Sequence, residues 1–237
     1  MSIIIPALNE ANTIGRLIPH LKSSLVHMEK SEIIVADGGS VDGTKEIAAN
    51  AGATVIECSR RGRAVQMNDG AALSRGDVFY FLHADSFPPP GFDRDISDAL
   101  DRGADCGSFR LQFDDTHPVL NIYGWFTRFD VDLFRFGDQS LFIKRRVFLE
   151  TGGFAESLSL MEDHEIVKRI RRSDAEFVVL DRSVITSARK YRTNGPLRLQ
   201  FLFTVILVFW YAGAGQDVLI HLYRSFVRTH RRPSRPG

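Results

Sequence analysis

The sequence predicts an α/β fold, a mostly parallel sheet with helices on both faces. Two observations carry this. From Ser2 to Leu82, short apolar runs alternate with stretches of helical period, and strand–helix–strand repetition at that spacing requires parallel strands joined by right-handed crossovers. The runs are also continuously hydrophobic rather than alternating, as in strands covered on both faces. A chain of 237 residues suits one large domain or a domain with an appendage. With 44% hydrophobic and 25% charged residues, it is neither a disordered chain nor a disulfide scaffold.

The elements follow in order. Ile3–Ile5 reads as a buried strand, and Asn12 is placed to cap a helix with the apolar stripe Ile14, Leu17, Ile18, Leu21 and Leu25. A second strand spans Glu32–Asp37, followed by a glycine turn and a helix near Thr44–Asn50. Thr54–Glu57 is a third strand, Arg63–Leu73 a helical stretch, and Asp77–Leu82 a fourth strand. No internal repeat or low-complexity tract precedes the tail.

In an open sheet of this kind, ligands bind beyond the carboxyl ends of the strands. Polar, acidic clusters stand at three of them: Pro6-Ala-Leu-Asn-Glu10, Asp37-Gly-Gly-Ser-Val-Asp-Gly-Thr44 and His83-Ala-Asp85. Any single carboxylate there could be a helix cap; three at one edge form a constellation. No GxGxxG follows the first strand and no GxxxxGK[ST] occurs. The 37–43 segment has Gly and Val where a calcium loop needs its third and fifth ligands, and Lys168 stands where His164-Glu165 would need a second His for zinc.

With Gly-Gly-Phe at 152–154 and Met-Glu-Asp at 161–163, the clusters complete a pattern that resembles the family-2 nucleotide-sugar glycosyltransferases of GT-A fold. Arg63-Ala-Val-Gln-Met-Asn-Asp-Gly70 and Gly137-Asp-Gln139 resemble a small, single-domain bacterial subgroup. The matches run in family order over about residues 2–192. The resemblance implies an inverting, metal-dependent transfer of a sugar from a nucleoside-diphosphate sugar, with UDP as the expected nucleotide, to a hydroxyl acceptor, either free or lipid-linked. Two rival readings are a nucleotidyltransferase and a catalytically silent nucleotide-sugar-binding protein docked on a membrane. The first expects a glycine-rich basic loop after the opening strand, and Pro6–Glu10 is not one. The second is disfavoured by the intact Asp37, Asp85 and Asp163 set.

The resemblance also implies roles. Pro6, Ala7, Asn9, Glu10, Asp37 and Gly39 hold the nucleoside, the Asp37 carboxylate accepting from a uracil N–H and Glu10 lying near the ribose. The plainer readings are a helix cap for Asp37 and a first-turn helix residue for Glu10. Asp85 is the metal candidate, because a leaving diphosphate calls for a hard cation, Mn²⁺ or Mg²⁺, on oxygen ligands. His83 replaces the first Asp of the family's Asp-x-Asp, and it either binds metal, contacts phosphate or satisfies a turn; Ala84 lies between them. Asp163 is the expected catalytic base with Glu162 as support, against the alternative that both merely complement a helix N-terminus. His164 is expected on a solvated side of that helix. Gly137, Asp138 and Gln139 are expected to line the sugar or acceptor pocket. Arg63 and Gln66 could reach the nucleotide or form a solvated helix face. Arg189 or Lys190 could neutralise the diphosphate or belong to an ordinary basic loop.

Residues 1–192 are thus expected to form the glycosyltransferase domain and 193–237 an apolar helical hairpin with a basic tail. From Arg189 to Gly237, nine Arg and Lys face the single Asp217, a local charge of +8 behind an acidic body of −7. That asymmetry points to phosphates or an anionic lipid surface rather than to nucleic acid. The uncharged stretch 199–216 is 18 residues, the lower edge for a membrane span. Surface docking, packing on the catalytic domain or a partner, and a single span all remain open for it. Cys58 and Cys106 read as buried, reduced thiols. The chain opens directly on a strand without a leader pattern, so a cytoplasmic protein, at the inner membrane face if it docks, is expected.

Overall fold

A computed structural model describes residues 1–131 and 139–227. The first half follows the predicted order: β1 (Ser2–Ala7), α1 (Ala11–Ser24), β2 (Glu32–Asp37), α2 (Thr44–Asn50), β3 (Thr54–Glu57), α3 (Arg63–Leu73) and β4 (Val78–Phe81). The rest comprises β5 (Ser86–Phe87), α4 (Phe92–Asp101), β6 (Cys106–Phe113), α5 (Pro118–Phe126), β7 (Leu141–Lys144), α6 (Arg145–Glu150), α7 (Glu162–Ile170), β8 (Phe177–Thr186), α8 (Arg189–Asn194), α9 (Pro196–Tyr211) and α10 (Gln216–Phe226).

One eight-stranded sheet runs in the order β3-β2-β1-β4-β7-β6-β8-β5. The strands β3, β2, β1 and β4 are parallel. Beyond β4 the sheet is mixed: β7 is antiparallel to both neighbours, and β6 and β8 are parallel. The continuous hydrophobicity of β1 has the expected cause. Ile3 and Ile5 pack with Ile14, Leu17, Ile18 and Leu21 of α1, while Ile4 turns to the opposite face with Ala64, Met67 and Ala71 of α3. Gly70 lets α3 approach closely, since a Cβ there would stand 2.5 Å from the Ile4 side chain.

Two expectations need correction, and one open alternative is removed. Asn12 does not cap α1; the helix starts at Ala11, whose N–H donates to Asp42 Oδ2 from the next loop, so the cap comes from a residue distant in sequence. Cys58 is only half-buried, although both thiols are free and burial pushes each up to about 12. Of the three readings left open for the apolar stretch after Leu197, the single membrane span is the one removed. The αL residue Gly213 ends α9, with the Gly213 and Ala214 N–H groups returning to Trp210 and Phe209. The helix is 16 residues, and at 1.5 Å per residue that is about 24 Å, short of the roughly 30 Å hydrocarbon core. Among the described residues no helix is long and apolar enough to cross a membrane.

The hairpin α9–α10 packs instead on the body. Leu199, Leu202, Ile206 and Leu219 share a third core with Leu111 and Phe113 of β6, Leu120 of α5, and Ala188 and Tyr191 at α8.

Candidate active site

Register puts the ends of the parallel strands together. Ala7 is paired with Asp37, and Asp37 with Glu57. Asp37 is buried; its Oδ2 accepts from Gly39 N–H at 2.9 Å and Ser40 N–H at 2.8 Å, folding its own turn. Gly39 meets the turn's need for positive φ, at 92°. The other oxygen, Oδ1, is buried with no hydrogen-bond partner among the described residues. Asn9, itself at φ 57°, stitches this turn to the end of β1: its N–H donates to Ser40 Oγ, and its Oδ1 accepts from Val41 N–H.

Gln66 is neither solvated nor directed outward. Buried in α3, its amide donates to the carbonyls of Ala7 at 2.7 Å and Ala36 at 2.8 Å. Ala7 O also accepts from Gly38 N–H. Gln66 thus holds β1 and β2 in register beneath the turn, a positioning role, and Pro6 and Ala7 contribute as buried backbone.

Arg63, at the start of α3, turns toward α7. Its Nε lies 2.6 Å from Oε1 of Glu162, which is 1% exposed. Burial raises the Glu162 pKa, opposed by the Arg63 guanidinium and reinforced by the Asp163 charge. Asp163 is less enclosed, with its Oδ2 3.6 Å from Nε2 of the buried His83. The expected base, its neighbour and the His-Ala-Asp motif therefore meet, although about eighty residues separate them. Ala84 is buried and Asp85 half-buried. The Asp85 carbonyl accepts from Ser187 N–H, and Ser86 pairs with Thr186 across β5 and β8, which delivers Arg189 and Lys190 to the same edge.

Arg189 has a partner inside the protein: its Nη2 is 3.3 Å from Oε1 of Glu10. Glu10 also accepts from Thr13 Oγ at Oε2, so it braces α1. The Lys190 carbonyl accepts from the Asn194 amide, while its ammonium has no hydrogen-bond or ion-pair partner among the described residues; the side chain lines a cavity of about 140 Å³ with Arg63 and Asp163. Gln139 is buried just before β7. Gly137 and Asp138 lie outside the described residues, as does the basic tail from 228 onward.

His164 corrects an expectation. It is buried, and its Nε2 is 2.9 Å from the Tyr211 hydroxyl of α9. Reading α7 as an isolated helix put His164 in solvent, but the hairpin covers that side. The sequence reading also missed Gln216 at the start of α10. Its Oε1 accepts from the N–H groups of Ser159 and Leu160, and its amide donates to Leu160 O. That grip precedes Met161, which stands at φ 69° immediately before Glu162. Asn9, Ser140 and Met161 are the non-glycine residues with positive φ among those described. All three border this site, where backbone strain tends to collect.

Residues 2–155 match the family described as Glycosyl transferase family 2. The chain belongs to that family. Glycosyltransferase AglE of Haloferax volcanii is 32% identical over 125 residues, covering 50% of this chain and 40% of AglE. The fold matches that of the mannosyltransferase PcManGT from Pyrobaculum calidifontis, solved with GDP-Man and Mn²⁺, at a TM-score of 0.71 and 18% identity, covering 94% of this chain and 68% of that one. Glucosyl-3-phosphoglycerate synthase from Mycobacterium tuberculosis, solved with Mn²⁺, UDP and glucosyl-3-phosphoglycerate, superposes at 0.59 with 20% identity over 90% of this chain and 80% of its own. The chain spans 29–58% of the length of the curated relatives it matches.

Proposed function

We propose that this family-2 chain transfers a sugar, with inversion, from a UDP-sugar to a hydroxyl acceptor, with Asp163 as the base. The observation that supports the nucleotide assignment is the Asp37 carboxylate, with one oxygen spent on its own turn and the other buried without a partner among the described residues. A buried acceptor in that state is costly until a ligand N–H meets it, and a nucleobase imide supplies one. In the reaction, the acceptor O–H loses its proton to Asp163 as its oxygen bonds to the anomeric carbon. The bond from that carbon to the diphosphate breaks, and its electron pair leaves with the diphosphate. Lys190 is placed to meet that developing charge. Glu162 is held by Arg63 as a fixed neighbour of the base, so Asp163 is the carboxylate left accessible.

The donor set fits a divalent cation shared with the substrate. Among the described residues no three His, Cys, Asp or Glu side chains gather to hold a metal alone, and Mg²⁺-type sites commonly use one or two carboxylates plus substrate phosphates. Asp85, with His83 beside it, would hold Mn²⁺ or Mg²⁺, which when bound neutralises diphosphate charge.

In this reading residues 1–192 form the catalytic unit and 193–237 an appendage that rests on an anionic membrane surface. Leu197, Phe201 and Val208 form one exposed stripe of α9 at helical spacing, which supports that docking. The activity is tested by incubating the chain with UDP-, GDP- and dTDP-sugars with Mn²⁺, Mg²⁺ or EDTA and detecting free nucleotide. The expected result is release from a UDP-sugar that EDTA and Asp85→Ala abolish. Absence of UDP binding by calorimetry overturns the reading.

A further inference from the structure

An acceptor has to place its oxygen between the base and the leaving group, so whatever borders Asp163 on the side facing Lys190 decides which alcohols can react. Here that border is the cavity of about 140 Å³. Its polar edge is Arg63, Asp163 and Lys190, and most of its remaining wall is apolar: Leu111 from β6, Leu160 before α7, and Phe203, Ile206 and Leu207 from α9. Tyr123 of α5, Tyr191 of α8 and Tyr223 of α10 add hydroxyl-bearing rings, and Met161 and His164 also line it. A cavity of this size is comparable to the apolar cavity of about 150 Å³ that takes up a benzene ring.

We propose that the α9–α10 hairpin builds an acceptor subsite for a compact apolar group, the size of one six-membered ring, carried one carbon away from the reacting hydroxyl. This rests on the glycosyltransferase reading of Asp163. Two features favour an apolar occupant over a sugar ring. The α9 wall brings the hydrocarbon and aromatic faces of Phe203, Ile206 and Leu207 to the cavity, and a hydroxyl turned toward that wall would find no partner there. The wall is also held firmly against the catalytic helix, through Tyr211 on His164 and Gln216 on the backbone of Ser159 and Leu160. The cavity therefore keeps its shape relative to the base, as a specificity pocket must.

The test uses the full chain with UDP, and benzyl alcohol and glycerol as probes. Ligand-observed NMR is expected to show saturable benzyl alcohol binding, weakened at least about fivefold by Leu207→Trp, which fills the cavity. Val218→Trp, on an exposed side of α10, leaves it unchanged. With the UDP-sugar that the chain cleaves, the benzyl glycoside is expected to form at least about tenfold faster than the glyceryl glycoside, in line with the discrimination an apolar pocket provides. Phe203→Ala enlarges the cavity and is expected to shift preference toward 2-naphthylmethanol, which keeps the test decisive if Leu207→Trp does not fold. Equal use of benzyl alcohol and glycerol, or a preference untouched by both cavity variants, overturns the subsite. If no nucleotide sugar is cleaved, the glycosyltransferase reading is what fails. The binding experiment then decides the cavity alone: binding sensitive to Leu207→Trp supports it, and its absence or insensitivity overturns it.

Discussion

The Tyr211 hydroxyl, in the last turn of α9, stands 2.9 Å from Nε2 of His164 in the first turn of α7, one residue beyond Asp163. The Lys168 ammonium lies over the same tyrosine ring, 5.4 Å from its centroid. The apolar hairpin and α7 are therefore one mechanical unit. A hydrogen bond of this kind contributes about 0.5–1.5 kcal/mol. Tyr211→Phe is expected to lower kcat by a few-fold to about tenfold while UDP affinity, set at the far end of the site, stays constant. Steady-state rates and UDP calorimetry on the same preparations check this. A fall in UDP affinity with kcat unchanged would contradict it.

Asp37→Asn addresses the nucleotide. The substitution leaves an oxygen to fold the turn but can place an amide N–H where an acceptor is wanted. UDP binding is expected to weaken by about 1–3 kcal/mol, the cost of an unsatisfied buried group, or roughly five- to more than a hundredfold in Kd. Calorimetry of UDP against CDP sharpens the test, because cytosine lacks the imide N–H. The wild type should prefer UDP, and the variant should lose most of that preference.

The half of the molecule legible in the sequence is the half whose signals are local. Each strand from β1 to β4 is a short apolar run, and β1, β2 and β4 carry their motifs at their carboxyl ends. The second half was largely hidden, because β5, β6 and β8 are paired by long-range contacts, Ser86 with Thr186 and Cys106 with Phe177. The same limit explains the site. Asp37, Asp85 and Asp163 could be picked out because each belongs to a motif. Gln66 could not be told from a surface amide, since its partners are backbone carbonyls of two other strands. Gln216 and Tyr211 belong to no motif, and their function lies in what the hairpin covers.

Asp163→Asn separates chemistry from binding. Asparagine keeps the shape beside His83 but cannot take the acceptor proton. General-base catalysis is worth about 10²–10⁴-fold, so kcat is expected to fall by that order while UDP binds as before. Quenched single-turnover measurements with UDP-sugar and alcohol acceptor give the rate directly. A variant with unimpaired transfer would remove Asp163 from the mechanism.

The outer stripe of α9 predicts an interaction rather than a rate. Co-sedimentation with vesicles of phosphatidylglycerol is expected, with much less on neutral phosphatidylcholine, since a basic segment gains about 1 kcal/mol per Lys or Arg near an anionic surface. Phe201→Ser should reduce it. Binding to neither vesicle, with a concentration-dependent dimer by light scattering, would assign the stripe to a second copy instead.

The Arg63–Glu162 pair makes the last prediction, on pH. Burial raises the folded-state pKa of Glu162 above its ordinary 4.5, and Arg63 opposes the shift. A carboxyl with a raised folded value keeps its proton in the native state when the unfolded chain has released it. Its contribution to stability is therefore present below pH 4.5 and is lost as pH rises through the folded value. Arg63→Met removes the opposing cation, so the folded value climbs further and the loss extends to higher pH. Breaking a buried pair costs about 3–5 kcal/mol, and the half-exposed Arg63 places this one toward or below the lower end. Urea denaturation from pH 4.5 to 8 should show the variant losing ground to the wild type as pH increases, and Arg63→Met/Glu162→Gln should recover most of the difference. A gap that stays constant with pH would mean that Glu162 does not titrate over this range and that Arg63 contributes through packing alone.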